Sequence, residues 1–283
     1  MERFKNKFAS LMMIVLGLSL SCQSQMISLP KYQIPFEAKG ILLYKLDADT
    51  LFGEKQRVII AEIRSEAVTK NNLVIAYTDT TLKQTSKFAE ENKAVVALNG
   101  SFFNVEKGGS VAYLESEGKV IARKKSPKEK WAKTDSLLNG AIVIDYSGKM
   151  KIEVAKSESF YENSALEKEV LISGPALLAE GQPLALENSE FVHKKHPRTC
   201  LCTTETGSIL FIAIDGRSEV AEGMNLKEVQ GFLLRLPCRD AINLDGGGST
   251  TLWVNDGYQK GILNKPSDKE GERPVANVIL IQN

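Results

Sequence analysis

The stretch Asp240–Val254, D-A-I-N-L-D-G-G-G-S-T-T-L-W-V, constrains this chain most. Ala241 to Leu244 reads as a short buried strand that delivers the Asp245 carboxylate into Gly246, Gly247 and Gly248, and Thr250 to Val254 reads as the returning strand. Three consecutive glycines give up side-chain packing and cost chain entropy, which a fold tolerates where the backbone takes positive φ or comes very close to another group. Successive N–H groups in such a turn can form a concave seat for an anion. Two readings stand at this point: a carboxylate beside an anion seat, or a tight hairpin with a turn aspartate.

The chain has 283 residues, enough for one large domain or two smaller ones with a sizeable core. Its 36 Lys and Arg against 35 Asp and Glu leave a net charge of +1, too balanced for nucleic acid as the main partner. His193 and His196 stand three apart, with Glu190 three before His193, a spacing a helical metal site could use. Pro197 argues against a helix there, so neither a metal nor another cofactor is expected.

Residues 1–21 read as a signal peptide. Arg3, Lys5 and Lys7 form a basic start, and Phe8 to Leu20 is an apolar run too short to span a membrane. Ser19-Leu20-Ser21-Cys22 then resembles a bacterial lipoprotein signal with Cys22 as the lipidated first residue; cleavage by ordinary signal peptidase is the rival. Residues 22–39 would be a tether and residues 40–283 the folded domain. The expectation is an exported protein of a bacterium, periplasmic or in the outer membrane, held to the membrane through Cys22. Three further cysteines follow: Cys200 and Cys202, which would face the same way on a strand, and Cys238. In an oxidising compartment one bridge could join Cys238 to either partner; three small buried thiols are the alternative.

From Gly40 onward strands and turns alternate. Gly40–Leu46, Arg57–Ile63, Asn72–Tyr77 and Ala94–Leu98 read as strands, and Thr81 with Gln84 as a capping pair for a helix over Leu82–Asn92. Later, Ile209–Ile214 is a strand, Asn225 and Glu228 cap a helix over Leu226–Leu236, and Ala241–Leu244 is the next strand. Strand, helix, strand, then N-G or D-G thus occurs twice, from two related halves or by coincidence. Gly140–Asp145, Met150–Val154 and Val170–Leu178, the last interrupted by Ser173-Gly174-Pro175, lie between. The expected fold class is α+β, a mixed β-sheet packed with helices. In His196-Pro197-Arg198-Thr199 the proline holds His196 extended and places Arg198 at the start of a strand over Cys200–Thr203. An arginine there suits an anion, or a surface salt bridge.

Asn99-Gly100-Ser101-Phe102-Phe103, Gly174-Pro175, His196-Pro197-Arg198-Thr199, Asp215-Gly216-Arg217, Gly223-Met224, Asn243-Leu244-Asp245-Gly246-Gly247-Gly248-Ser249 and Arg273-Pro274-Val275-Ala276-Asn277 occur in this order. The set, over roughly Ala94–Ile281, resembles the phosphodiester glycosidase family. The resemblance implies a hydrolase that cleaves the bond between a sugar's anomeric carbon and a phosphodiester, with a phosphorylated glycan or sugar-1-phosphodiester as substrate. Cys200 and Cys202 depart from the small residues expected after H-P-R-T.

Glycoside cleavage usually employs two carboxylates, and Asp245 and Asp215 are the natural pair at two strand ends. A phosphodiester leaves with little protonation, so positive charge and N–H donors matter more. Arg198, Arg217 and Arg273 could supply charge, and the Gly246, Gly247 and Gly248 amides with Ser249 could supply hydrogen bonds. Asn99, Gly100 and Asn277 would hold the sugar, Phe103 or Phe102 would stack on it, and His196 would act as acid or as a structural residue. Two rivals remain: a surface module that binds anionic glycans without cutting them, and a metal-dependent phosphodiesterase.

Overall fold

The structure is a computed structural model that describes Gln33, Ile34, Phe36, Ala38 and residues 40–283. The signal-peptide reading, the lipidation site Cys22 and most of the tether lie outside the described residues.

Three sheets carry the fold, and every ladder between named strands is antiparallel. The large sheet has eight strands in the order Gln33–Ile34, Ile41–Leu51, Glu54–Ile63, Ile209–Ile214, Arg198–Thr204, Cys238–Asn243, Ala176–Ala179 and Gln182–Pro183. The second has five: Lys119–Ala122, Leu114–Ser116, Glu167–Ser173, Gly140–Asp145 and Met150–Val154. The third also has five: Lys260–Ile262, Leu252–Asn255, Ala94–Asn99, Asn277–Gln282 and Leu73–Tyr77. Of the expected α+β class, sheets dominate and helices are few, and every pairing between named strands is antiparallel.

The strand Ile209–Ile214 shows why the sheets stack. All six residues are buried. Because successive side chains point to opposite faces, Ile209, Phe211 and Ala213 join one core and Leu210, Ile212 and Ile214 another. The first core collects the inner faces of all three sheets, including Val96, Leu98, Ile142 and Leu171. The second is closed by the helix Leu226–Leu233, whose Leu226, Val229, Phe232 and Leu233 pack on the outer face of the large sheet. That helix starts as expected: Asn225 accepts from the Lys227 and Glu228 N–H groups, and Glu228 accepts from the Asn225 N–H.

The other expected helix starts later, at Thr85, and the Thr81–Gln84 capping pair does not form. Its first turn is served from far along the chain by Glu272, which accepts from the Ser86 N–H at 2.7 Å and the Ser86 hydroxyl at 2.6 Å. A carboxylate at the helix N-terminus satisfies the free amides and the dipole wherever it comes from.

The glycine turn is not a hairpin. Cys238–Asn243 belongs to the large sheet, whereas Leu252–Asn255 pairs with Ala94–Asn99 and Lys260–Ile262 in the third. Gly246–Gly248 therefore passes the chain from one sheet to another. Ser173-Gly174-Pro175, with a cis Gly174–Pro175 bond, does the same between the second sheet and the large one.

The two strand–helix–strand units share one arrangement. In each, a third strand lies antiparallel between the two. Asn277 pairs with Tyr77 and Val278 with Asn99; Thr199 pairs with Ala213 and Cys200 with Asn243. Matching these registers sets Asn99 on Asn243 and Asp79 on Asp215. Cys202 and Cys238 form a disulfide, and Cys200 is a buried free thiol.

Candidate active site

Asp215 and Asp245 leave the large sheet at the same edge. Their strands flank Arg198–Thr204, so two interstrand spacings, roughly 10 Å, separate the two backbones. The end of the third sheet meets this edge. The Asp245 N–H donates to the Gly100 carbonyl at 3.0 Å, and its own carbonyl accepts from Asn99 Nδ2 at 2.6 Å. Asn99 Oδ1 accepts in turn from the Thr251 N–H at 3.0 Å and the Thr199 hydroxyl at 2.9 Å. Asn99 is fully buried, so these bonds occupy it as a clamp on the Asp245 backbone.

Glycines are needed where the backbones touch. A Cβ on Gly100 would overlap the Asn277 side chain, whose Oδ1 accepts from the Ser101 N–H at 2.7 Å. A Cβ on Gly246 would lie 2.6 Å from the Pro197 carbonyl oxygen. Gly247, at φ 63, donates its N–H to that same oxygen at 2.9 Å. A Cβ on Gly248 would overlap both the Asp268 carboxylate and the Arg273 guanidinium.

The cations expected around Asp245 divide into two kinds. Arg198 is 1% exposed and spends its guanidinium on the carbonyls of Met224, Phe191 and Lys194 at 2.8 to 2.9 Å, stacked 4.9 Å over the Phe191 ring. Burial lowers its pKa to about 10. Arg273 is bound in bidentate fashion to Asp268, at 2.8 and 3.1 Å. Arg217, at φ 57, is exposed; its guanidinium covers Gly247 and lies 3.1 Å from His196 Nδ1. His196 is held by backbone bonds to Met224, and burial, then the Arg198 and Arg217 charges, lower its pKa. A neutral ring that accepts at Nδ1 carries its proton on Nε2. A fourth cation, Lys133, sits 5.2 Å over the Phe102 ring and, with Arg273, acts electrostatically on the Asp245 carboxyl.

The two aspartates differ. Desolvation pushes the Asp245 carboxyl up to about 6, against the opposing pull of Ser249, Lys133, Arg273 and the Gly246 N–H. Asp245 itself is half-buried. Asp215 is 2% exposed; its Oδ1 accepts from the Lys265 N–H at 2.9 Å and Asn264 Nδ2 at 3.3 Å, while Oδ2 has no hydrogen-bond partner. Burial raises its pKa as well. Phe103 packs with Phe88, Val275 and Trp253 in the outer core of the third sheet. The burial of Asn99, Asn277, Arg198 and Phe103 makes them supports of this edge. The groups with open surface here include Asp245, His196, Arg217, Lys133 and the Asp268–Arg273 pair. Asn264, Asp268 and Lys133 went unread in the sequence. Among the described residues no group of three or more His, Cys, Asp or Glu is placed to hold a metal ion.

A family model described as phosphodiester glycosidase matches residues 92–282, more than half of the chain. The chain belongs to the phosphodiester glycosidase family. Curated relatives include N-acetylglucosamine-1-phosphodiester alpha-N-acetylglucosaminidase of Bos taurus, 28% identical over 59% of this chain and 32% of the relative, and of Homo sapiens, 27% identical over 62% and 34%. The match therefore spans about a third of the length of these relatives. Among solved structures, the catalytic domain of the zebrafish N-acetylglucosamine-1-phosphodiester alpha-N-acetylglucosaminidase, auto-inhibited by its pro-peptide, aligns with a TM-score of 0.69 at 21% identity, over 86% of this chain and 83% of that one. A hypothetical protein from Synechocystis aligns with a TM-score of 0.66 at 15% identity, over 86% and 62%. These likenesses share the fold.

Proposed function

We propose that the chain hydrolyses the glycosidic bond of a sugar-1-phosphodiester, with Asp245 at the anomeric carbon. The supporting observation is Asp245 itself: its backbone is held by hydrogen bonds where two sheets meet, its carboxyl is desolvated to about 6, and the glycine turn that follows it is covered by Arg217, which meets His196. A carboxyl near 6 is ionised at neutral pH yet basic enough to take a proton from water or to attack carbon. The bond from the anomeric carbon to the phosphate oxygen breaks, and its electron pair leaves on phosphate. Arg217 meets that charge, and the neutral His196 offers Nε2–H as a donor. Asp215, buried and bonded to Lys265 and Asn264, positions the strand end from which Arg217 projects. The curated relatives are named for action on an N-acetylglucosamine-1-phosphodiester, a member of the substrate class proposed here.

The test is a panel of sugar-1-phosphodiesters assayed for released free sugar. Release by the wild type, lost in a folded Asp245→Asn variant, supports the reading. A wild type that releases nothing across the panel sinks it; tight binding without turnover would mark a non-catalytic glycan module, and a sugar phosphate as product would mark cleavage of the P–O bond.

We further propose that the chain is exported and lipidated at Cys22. The basic start, apolar run and Ser-Leu-Ser-Cys sequence support this, and the Cys202–Cys238 disulfide suits an oxidising compartment. Mass spectrometry of the protein from bacterial membranes would find a diacylglyceryl group on Cys22; a soluble chain retaining residues 1–21 would refute it.

A further inference from the structure

We infer that Lys133 is a substrate-contacting residue of this site, the cation that receives the phosphate on the side opposite Arg217. The inference rests on the glycosidase reading for the identity of the reaction, but not for the existence of the anion seat.

An anion at Asp245 needs a positive group that is not already committed. Arg198 is bound to three carbonyls and Arg273 to both oxygens of Asp268. Lys133 has no ion-pair partner among the described residues. Three of its chain neighbours are paired, Lys124 with Asp135, Lys125 with Glu129 and Lys130 with Glu106, and Lys128 is exposed. Lys133 instead rests its ammonium 5.2 Å over the Phe102 ring, a contact that holds a cation in place while leaving its N–H donors available. Phe102 lies edge-on to Phe191 at 6.0 Å, and the Arg198 guanidinium stacks on Phe191 at 4.9 Å. Two aromatic rings thus connect Lys133 to the buried arginine that begins the central strand.

The placement of Lys133 is also built into the backbone. Segment 123–139 connects two strands of the second sheet and is pressed against the Gly174 turn. A Cβ on Gly174, at φ 151, would overlap the Leu137 carbonyl oxygen. Asn139 Oδ1 accepts from the Ala176 N–H at 2.7 Å. The Gly174 carbonyl accepts from Asn243 Nδ2 at 2.7 Å, two residues before Asp245. The segment bearing Lys133 and the strand bearing Asp245 are therefore tied to one turn. Arg217 projects from the large sheet over Gly247, two residues after Asp245. Among the described residues, neither Lys133 nor Arg217 is bound to a carboxylate, and they reach the glycine turn from different parts of the fold, an arrangement that suits the two non-bridging oxygens of a phosphodiester.

The experiment compares wild type, Lys133→Ala and Lys133→Arg on two substrates of the same sugar: a 1-phosphodiester and a neutral aryl glycoside. Inorganic phosphate binding is measured by calorimetry on all three proteins. Lys133→Ala is expected to lower kcat/KM for the phosphodiester about 10- to 100-fold. The fall on the aryl glycoside should be at least about fivefold smaller than on the phosphodiester, phosphate binding should weaken, and Lys133→Arg should restore most of both losses. An equal fall on both substrates would place Lys133 on Asp245 rather than on phosphate and overturn the assignment, as would unchanged phosphodiester kinetics and phosphate binding. Should the wild type turn over neither substrate, the glycosidase reading fails, and phosphate affinity alone decides Lys133: weakened in the alanine variant it stands, unchanged it falls.

Discussion

Asn99 holds the Asp245 carbonyl on its Nδ2 at 2.6 Å while its Oδ1 accepts from the Thr251 N–H at 3.0 Å, so one buried amide joins both sides of the glycine turn to the third sheet. Asn99→Asp keeps the shape and replaces the Nδ2 donor with an oxygen aimed at a carbonyl. We expect a loss of about 2–4 kcal/mol in stability and a fall in activity beyond what the remaining folded fraction explains. Thr199→Val, which removes one partner of Asn99, should cost only about 1 kcal/mol. Urea titrations beside initial rates check both; an Asn99→Asp protein with normal activity would mean that the Asp245 backbone needs no clamp.

Gly248 illustrates close approach rather than turn conformation. Its missing side chain leaves room for the Asp268–Arg273 pair. Gly248→Ala should displace that pair, lowering activity at least tenfold and stability by about 1–3 kcal/mol. Gly231→Ala is the control. It lies in the helix Leu226–Leu233, and a Cβ added there would meet the Phe52 ring at 3.5 Å, an ordinary van der Waals contact. That substitution should be neutral or stabilising by up to about 1 kcal/mol.

The disulfide and the free thiol make opposite predictions. Cys202–Cys238 closes a loop of 36 residues, for which chain entropy gives about 4 kcal/mol. Reduction, or the pair Cys202→Ala with Cys238→Ala, should lower the denaturation midpoint accordingly. Cys200 is fully buried and its thiol is pushed up to about 12 by desolvation, so it should resist alkylation until the protein unfolds. In a denatured chain lacking residues 1–22, alkylation should count a single thiol before reduction; three before reduction would exclude the bridge.

What could be read in the sequence was what adjacent residues decide. Ile209–Ile214, Gly140–Asp145 and Met150–Val154 appear with the expected bounds because their apolar runs are bracketed by turn residues. The Asn225–Glu228 capping box is local and was legible. The Thr81–Gln84 pair was misleading because Glu272, remote in sequence, takes its place at the helix end. The glycine turn looked like a hairpin because strand–turn–strand has the same local pattern whether the strands pair together or with other sheets. The site divides similarly. Asp245 and Arg217 stood out by motif, whereas Lys133 lies in a lysine-rich segment and is singled out only by tertiary contacts: its seat over Phe102 and the packing of Leu137 and Asn139 on the Gly174 turn.

Asp245 should make the protein less stable at the pH where it works. Its carboxyl titrates near 6 in the fold, against 3.8 for the unperturbed group, because burial disfavours the charge. A raised folded pKa means that the native state binds the proton more tightly than the unfolded chain. The resulting stabilisation is fully present below about pH 4 and is lost as pH rises through about 6. The shift corresponds to about 3 kcal/mol. Asp245→Asn removes the titration, so it should match the wild type near pH 4 and exceed it by about 1–3 kcal/mol at pH 7.5, while releasing no sugar. Glu169, pushed to about 7 by burial in the second sheet, titrates in the same window, which is why the difference between the two proteins is the quantity to measure. Wild-type kcat/KM should climb through about pH 6 as Asp245 ionises. Equal stability of the two proteins at pH 7.5, together with a flat rate profile across that range, would show that this carboxyl is solvated and has no proton to give up there.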